Sequence, residues 1–372
     1  MITSKKSITY IISNINKAIT FEWISQTLDR NKYDLSFILL NNKNTFIEDY
    51  LKNNSIWVRR IQYKNKKDLP LAVYRISKLL KELRTDVIHT HLLDASLAGL
   101  IAAFLIRVPK RIHTRRHSTY HHQYCPKATN YDRLINFLST DIIATSINVR
   151  DVLVEREHVK PPKVHVINNC FNLRAFQDVP HEDIEILRRK YKIGSHYPVI
   201  GVIARYIVWK GIPFIIDAFK HVLKIYPDAL MILANADGPD KRRIQLNLKF
   251  LPDESFVEIR FENNHFALYK LFDVYVHVPV DSYIEAFGQT YIEALAAGVP
   301  SVFTLSGIAN EFIEHKKNAL VVDYQNPEQI ADSIHRILED KRIAQTLVKN
   351  GLASIQRFSL ERMIKELEHL YG

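Results

Sequence analysis

Short apolar runs of strand length alternate with longer amphipathic runs along the whole chain, and no other feature limits the possible folds so strongly. Residues 8–13, 35–40, 87–90, 111–113 and 142–144 read as strands of a first sheet, with helices predicted over 21–30, 71–83 and 95–106. Residues 199–204, 230–234, 257–261, 274–278, 301–303 and 319–321 read as strands of a second sheet. Strand after helix after strand is the pattern of parallel sheets covered by helices. The run 273–279 has no polar alternation, as expected of a strand buried on both faces. A chain of 372 residues exceeds one ordinary core and fits two α/β domains. The polar stretch 172–198, with Pro180 and Gly194, interrupts the pattern and reads as the link.

The chemistry is densest between Pro279 and Pro300. Glu285 and Glu293 bracket a Phe287-Gly288 turn where the strand 273–279 gives way to a helix over 289–297. Gly298 and Pro300 supply the stop. Backbone N–H groups at a helix start attract phosphate, and carboxylates accept hydrogen bonds from sugar hydroxyls. Ala286, Phe287 and Gly288 are expected to contribute mainly backbone there. Both needs together suit a nucleotide sugar. Arg205 stands just past the strand 199–204, and Lys210 precedes Gly211. Cations aimed at a departing diphosphate stabilise the transition state more than the ground state.

Charge is divided unevenly. Residues 1–178 carry a formal +13 and residues 179–372 a formal −2. A basic first half is expected to face an anionic acceptor or an anionic membrane surface. No module interleaving base-stacking aromatics with cations is present, which argues against nucleic acid. Cys125 and Cys170 form no disulfide framework, and the longest apolar stretch, 97–106, is too short to span a bilayer. A cytoplasmic chain, peripheral on the membrane at most, is the expectation. His89-Thr90-His91 lacks a third ligand at suitable spacing and makes a poor zinc site.

The run from Pro279 to Pro300 resembles the E-x7-E signature of family 4 retaining glycosyltransferases (glycosyl transferases group 1), which have the GT-B fold. Segments 201–211, 306–322 and 164–172 are similar to further parts of that family. The resemblance implies two Rossmann-like doubly wound α/β domains facing a central cleft. Residues 1–178 would bind acceptor and 179–355 the nucleotide sugar, while the helix in 356–372 crosses back to the first domain. It implies that Glu293 bonds the ribose, that Glu285 contacts the transferred sugar, and that Arg205 and Lys210 meet the diphosphate without a metal or other cofactor. The expected reaction is retaining transfer from a UDP- or GDP-sugar to a hydroxyl of a glycan or lipid-linked acceptor in cell-envelope synthesis. A non-catalytic subunit of this fold and a nucleotide-sugar epimerase are the alternatives.

Two departures from the family pattern matter. A histidine usually follows the threonine by two places, but Thr114 is followed by Arg115 and Arg116, with His117 one place late. Either His117 or Arg116 fills that acceptor-side position, and Arg115 and Arg116 are candidate acceptor contacts. His121 and His122 read as surface residues. The glycine pair usual after the first strand is replaced by Ser13-Asn14-Ile15-Asn16, so the amides of Asn14 or Asn16 stand in for backbone contacts to the donor.

Overall fold

The computed structural model describes residues 5–372, which form two compact units. The first runs to Phe171 and includes Leu360–Gly372; the second is Asn172–Ser359. The segment read as a link, 172–198, carries two helices, Leu173–Gln177 and His181–Lys190.

Seven parallel strands make the first sheet: β1 (Lys6–Ser13), β2 (Tyr33–Leu40), β3 (Trp57–Ile61), β4 (Val87–His91), β5 (Lys110–Arg115), β6 (Asp141–Ala144) and β7 (Val164–Val166). Their order is β3-β2-β1-β4-β5-β6-β7. Two strands were missed in the sequence, and both lie on the edges. β3 has most residues exposed and two arginines in five residues, so it shows no buried apolar run. β7 is three half-buried residues.

The second sheet holds β8 (Val199–Ile203), β9 (Leu230–Ala234), β10 (Phe256–Ile259), β11 (Val274–His277), β12 (Ser301–Phe303) and β13 (Leu320–Val321). All pairings are parallel, in the order β10-β9-β8-β11-β12-β13. Each sheet therefore reverses direction of winding at its first strand. Loops diverge at such a switch point, and ligands of open α/β sheets bind there, outside the C-terminal strand ends.

Helices Ile212–Ile225 and Pro327–Glu339 cover one face of the second sheet, burying Ile212, Ile215, Ile216 and Phe219 against Ile200, Val202 and Met231. The C-terminal helix Leu360–Tyr371 belongs to the first unit and buries Met363, Ile364 and Leu367 beside Phe21 and Phe37. Tyr371 anchors it: its hydroxyl bonds those of Tyr10 and, at 2.8 Å, His89 Nδ1.

Candidate active site

In the second unit the switch point lies between β8 and β11. Ala204 ends the run of β8 and Arg205 follows, exposed. A single turn, Val208–Lys210, then carries Lys210. Gly211 opens the next helix at φ +70°, pressed so close to β11's exit that a Cβ would lie 2.0 Å from the Val278 carbonyl oxygen. That contact brings the Lys210 turn against the chain leaving β11.

Glu285 sits on that chain. Its Oε1 receives Lys210 Nζ at 2.5 Å, and its backbone N–H donates to Ser306 Oγ at 3.3 Å. His277, the last residue of β11, is buried, with Nε2 3.6 Å from the same carboxylate oxygen. Glu285 is only 8% exposed. Burial alone raises a carboxyl's pKa, but Lys210 and His277 outweigh it and hold Glu285 down to about 2. It is a fixed anion at neutral pH. His277 moves the other way, its pKa lowered by burial, so the imidazole is neutral.

The helix Gln289–Ala296 starts at Gly288, whose φ is +85°. N–H groups of a first turn have no intrahelical carbonyl, and the helix dipole adds positive potential there. Phe287 turns its ring into the core, 6.0 Å from that of Phe358, and its carbonyl accepts from Ile308 N–H. Ala286 is half-buried beside it. Glu293, further along the helix, accepts from the Tyr269 hydroxyl at 2.8 Å. Burial pushes its pKa up to about 7. Two carboxyls of one segment are thus set apart: one permanently charged, the other balanced near neutrality.

In the first unit the switch point lies between β1 and β4. Asn14 has φ +53° and donates from its amide to Asp94 at 3.2 Å. Asn16 supports a neighbouring turn, accepting from Phe46 N–H at its side chain and from Ile47 N–H at its carbonyl. Both amides thus shape the loop that glycines were expected to shape. Both His89 nitrogens are engaged, Nδ1 by Tyr371 and Nε2 by Thr114 at 2.7 Å.

Arg116, just past β5, is half-buried over the ring of Phe21, 3.4 Å from His91 Nδ1. Burial lowers its pKa to about 10, leaving it charged at neutral pH. Among the described residues no carboxylate pairs with it.

Arg115 is a correction. It is fully buried and ion-paired to Asp132 and Glu157, so no acceptor can reach it. Alternation along β5 sends adjacent arginines to opposite faces, and only one reaches the open side. His121 and His122 are corrected with it. His121 is buried with Nδ1 2.7 Å from Asp132 Oδ2, and His122 lies 3.2 Å from Glu157. His117 Nε2 is 3.2 Å from the same Asp132 oxygen. Burial, with Arg115, lowers the His117 pKa to about 4.

Asp132, Glu157 and His277 were not picked out in the sequence. The helix Thr129–Leu138 buries Asp132, Ile135, Asn136 and Leu138, so an acid on that apolar face was the available signal. For His277 it was an imidazole inside an otherwise apolar strand.

With this geometry in hand, comparisons assign the class. Residues 183–353 match the model of glycosyl transferases group 1, and residues 23–175 match that of glycosyltransferase family 4. The chain belongs to this family and is a glycosyltransferase. It is 26% identical over 326 residues to the alpha-monoglucosyldiacylglycerol synthase of Acholeplasma laidlawii, covering 82% of this chain and 79% of the relative. It is 25% identical over 287 residues to CapM of Staphylococcus aureus, a capsular polysaccharide biosynthesis glycosyltransferase, covering 75% and 74%. Among solved structures, Anabaena Alr3699/HepE in complex with UDP and glucose superposes with a TM-score of 0.83 at 19% identity, covering 98% of this chain and 99% of that one. The fold is accordingly that of the GT-B glycosyltransferases.

Proposed function

We propose that this glycosyltransferase moves a sugar from a UDP-sugar to a hydroxyl of a lipid-linked or glycan acceptor, with retention at the transferred carbon. The observation that carries the proposal is the Lys210–Glu285 pair at the switch point of the second sheet, beside the start of the helix Gln289–Ala296. An ammonium already aimed by a carboxylate needs little reorganisation to meet a diphosphate. Arg205, exposed on the same loop, is the second cation, and N–H groups of the Gly288 turn complete the anion site. In this reading protein groups meet the diphosphate charge and no metal is required at the donor site. Glu285 receives hydroxyls of the sugar, and Glu293 those of the ribose. The departing phosphate assists loss of the acceptor proton on the same face.

Neighbours holding UDP and UDP-glucose support the uridine donor. On the acceptor side Arg116 is the better candidate, because His117 is bound to Asp132, whereas Arg116 offers a charge without a carboxylate partner. A groove of about 660 Å³ beside β3 is lined by Arg59, Arg60, Arg75, Lys78 and Glu82, with exposed Trp57 and Tyr74; Arg60 is paired with Glu48 and Lys78 with Glu82. Cations with interfacial aromatics suit an anionic membrane surface on the cytoplasmic side, where a lipid-linked acceptor would lie. No helix among the described residues is long and apolar enough to cross a membrane.

Calorimetric titration with UDP, GDP and ADP tests the donor site. Binding of UDP that disappears in an Arg205→Ala, Lys210→Ala double variant is the expected result. Absence of binding to all three would remove the basis of the donor assignment.

A further inference from the structure

The three side chains that converge on one point behind β5 are two imidazoles and a carboxylate, a set that the donor site does not use. His121 Nδ1 and His117 Nε2 lie 2.7 and 3.2 Å from Asp132 Oδ2, and the three ligand atoms all fall within 4.8 Å of one another. His117 and His121 are four apart, either side of the start of the helix Tyr120–Tyr124; Asp132 comes from the next long helix, Thr129–Leu138. A His-x3-His pair joined by a ligand from another element is a usual way to hold zinc. Zinc–nitrogen and zinc–oxygen bonds near 2.0–2.1 Å put tetrahedral donors about 3.3 Å apart, so shifts of about half an ångström suffice at the two contacts between Asp132 and the imidazoles.

The charge balance around the cluster also points to a cation. Asp132 and Glu157 are buried carboxylates that share one guanidinium, Arg115. Two carboxylates against one guanidinium leave an excess of one negative charge, in a place where unpaired charge is costly. Asp132 Oδ1 lies 2.5 Å from Arg115 Nη1, which leaves Oδ2 facing the two imidazoles. A divalent ion at Oδ2 neutralises the excess.

We infer that His117, His121 and Asp132 form a binding site for a divalent transition-metal ion of the zinc class. His117, with 23% of its side chain exposed, marks the side from which the ion enters and where water completes the coordination. The role is structural. Such an ion ties the helix Tyr120–Tyr124 to the helix Thr129–Leu138, stiffening the loop that begins at Arg116. The inference stands apart from the donor assignment, because it concerns other residues and its test needs no substrate.

The full chain, stripped with a chelator and dialysed, is titrated with zinc chloride against a chromophoric competitor. One equivalent is expected to bind and to raise the thermal midpoint. His117→Ala and His121→Ala should each weaken binding by more than the ~10–100-fold that outer partners contribute, while His165→Ala, at the surface pair with Asp141, should bind as wild type does. Failure of the wild-type chain to take up one equivalent overturns the inference. Equal binding by both variants also overturns it, locating the metal elsewhere, for instance at Cys125 or Cys170. Should the variants not fold, zinc-edge absorption of the wild-type complex decides: two imidazoles in the ligand shell are required, and a shell lacking them is fatal.

Discussion

Replacing Lys210 with methionine removes the ammonium but keeps most of the side chain's bulk, leaving Glu285 buried beside neutral His277. Holding that carboxyl at about 2, against 4.5 in the unfolded chain, stabilises the folded state by about 3 kcal/mol at neutral pH. Lys210 is the largest influence lowering it, so Lys210→Met should cost about 3 kcal/mol, within the ~3–5 kcal/mol typical of breaking a buried pair from one side. The pH dependence has a definite sign. A depressed carboxyl pKa stabilises above the unfolded value, so the difference between wild type and variant should be full at pH 7. It should fade as pH falls from 4.5 toward 2. Adding Glu285→Gln removes the stranded charge, and the double variant should return to within about 1 kcal/mol of wild type. Urea unfolding of the four proteins of this cycle, followed by tryptophan fluorescence, measures each quantity. A loss below about 1 kcal/mol in Lys210→Met would refute the reasoning. So would a double variant as unstable as the single one. Neither Lys210 variant should bind UDP, even though the double variant is stable.

Arg205→Ala removes an exposed charge, so unfolding should be unchanged while UDP binding weakens by roughly 10–100-fold, the usual scale for a charged hydrogen bond; calorimetry reads both. Glu293 has its pKa raised to about 7 from 4.5, so its contribution to stability is full below 4.5 and is lost as pH rises through 7. Glu293→Gln should therefore show a flatter stability profile between pH 5 and 8 and be more stable than wild type at pH 8; parallel profiles would count against the assignment. Gly307→Ala places a Cβ 2.8 Å from the Phe287 carbonyl and 2.9 Å from Glu285 Cβ, at φ +58°. Backbone must move, and UDP affinity should fall at least ~10-fold with a loss of ~1–3 kcal/mol in stability.

Much of the fold was legible because its causes are local. The apolar run of β11 and the Gly298 and Pro300 stop lie within a few residues of what they specify. The strand 274–278 and the helix 289–297 are accordingly found as Val274–His277 and Gln289–Ala296. β3 and β7 were not legible, since neither buries a continuous apolar run: β3 is mostly exposed and β7 only half-buried. Arg115 and Arg116 show the same limit at a site. Adjacent and identical in type, they differ in surroundings: Arg115 ends β5 against two carboxylates, while Arg116 just past it turns toward His91 and Phe21.

From the sequence alone came two α/β units, the segment between Pro279 and Pro300 as the chemical centre, and the family. Tertiary structure decided which charges are free. Lys210 and Glu285 stand 75 residues apart and meet because β8 and β11 are neighbours in the sheet. Arg115, Asp132 and Glu157 meet because a strand and two helical segments enclose one buried pocket of charge. Periodicity records how each segment meets the core; the sign and state of a buried charge depend on partners brought from elsewhere in the chain.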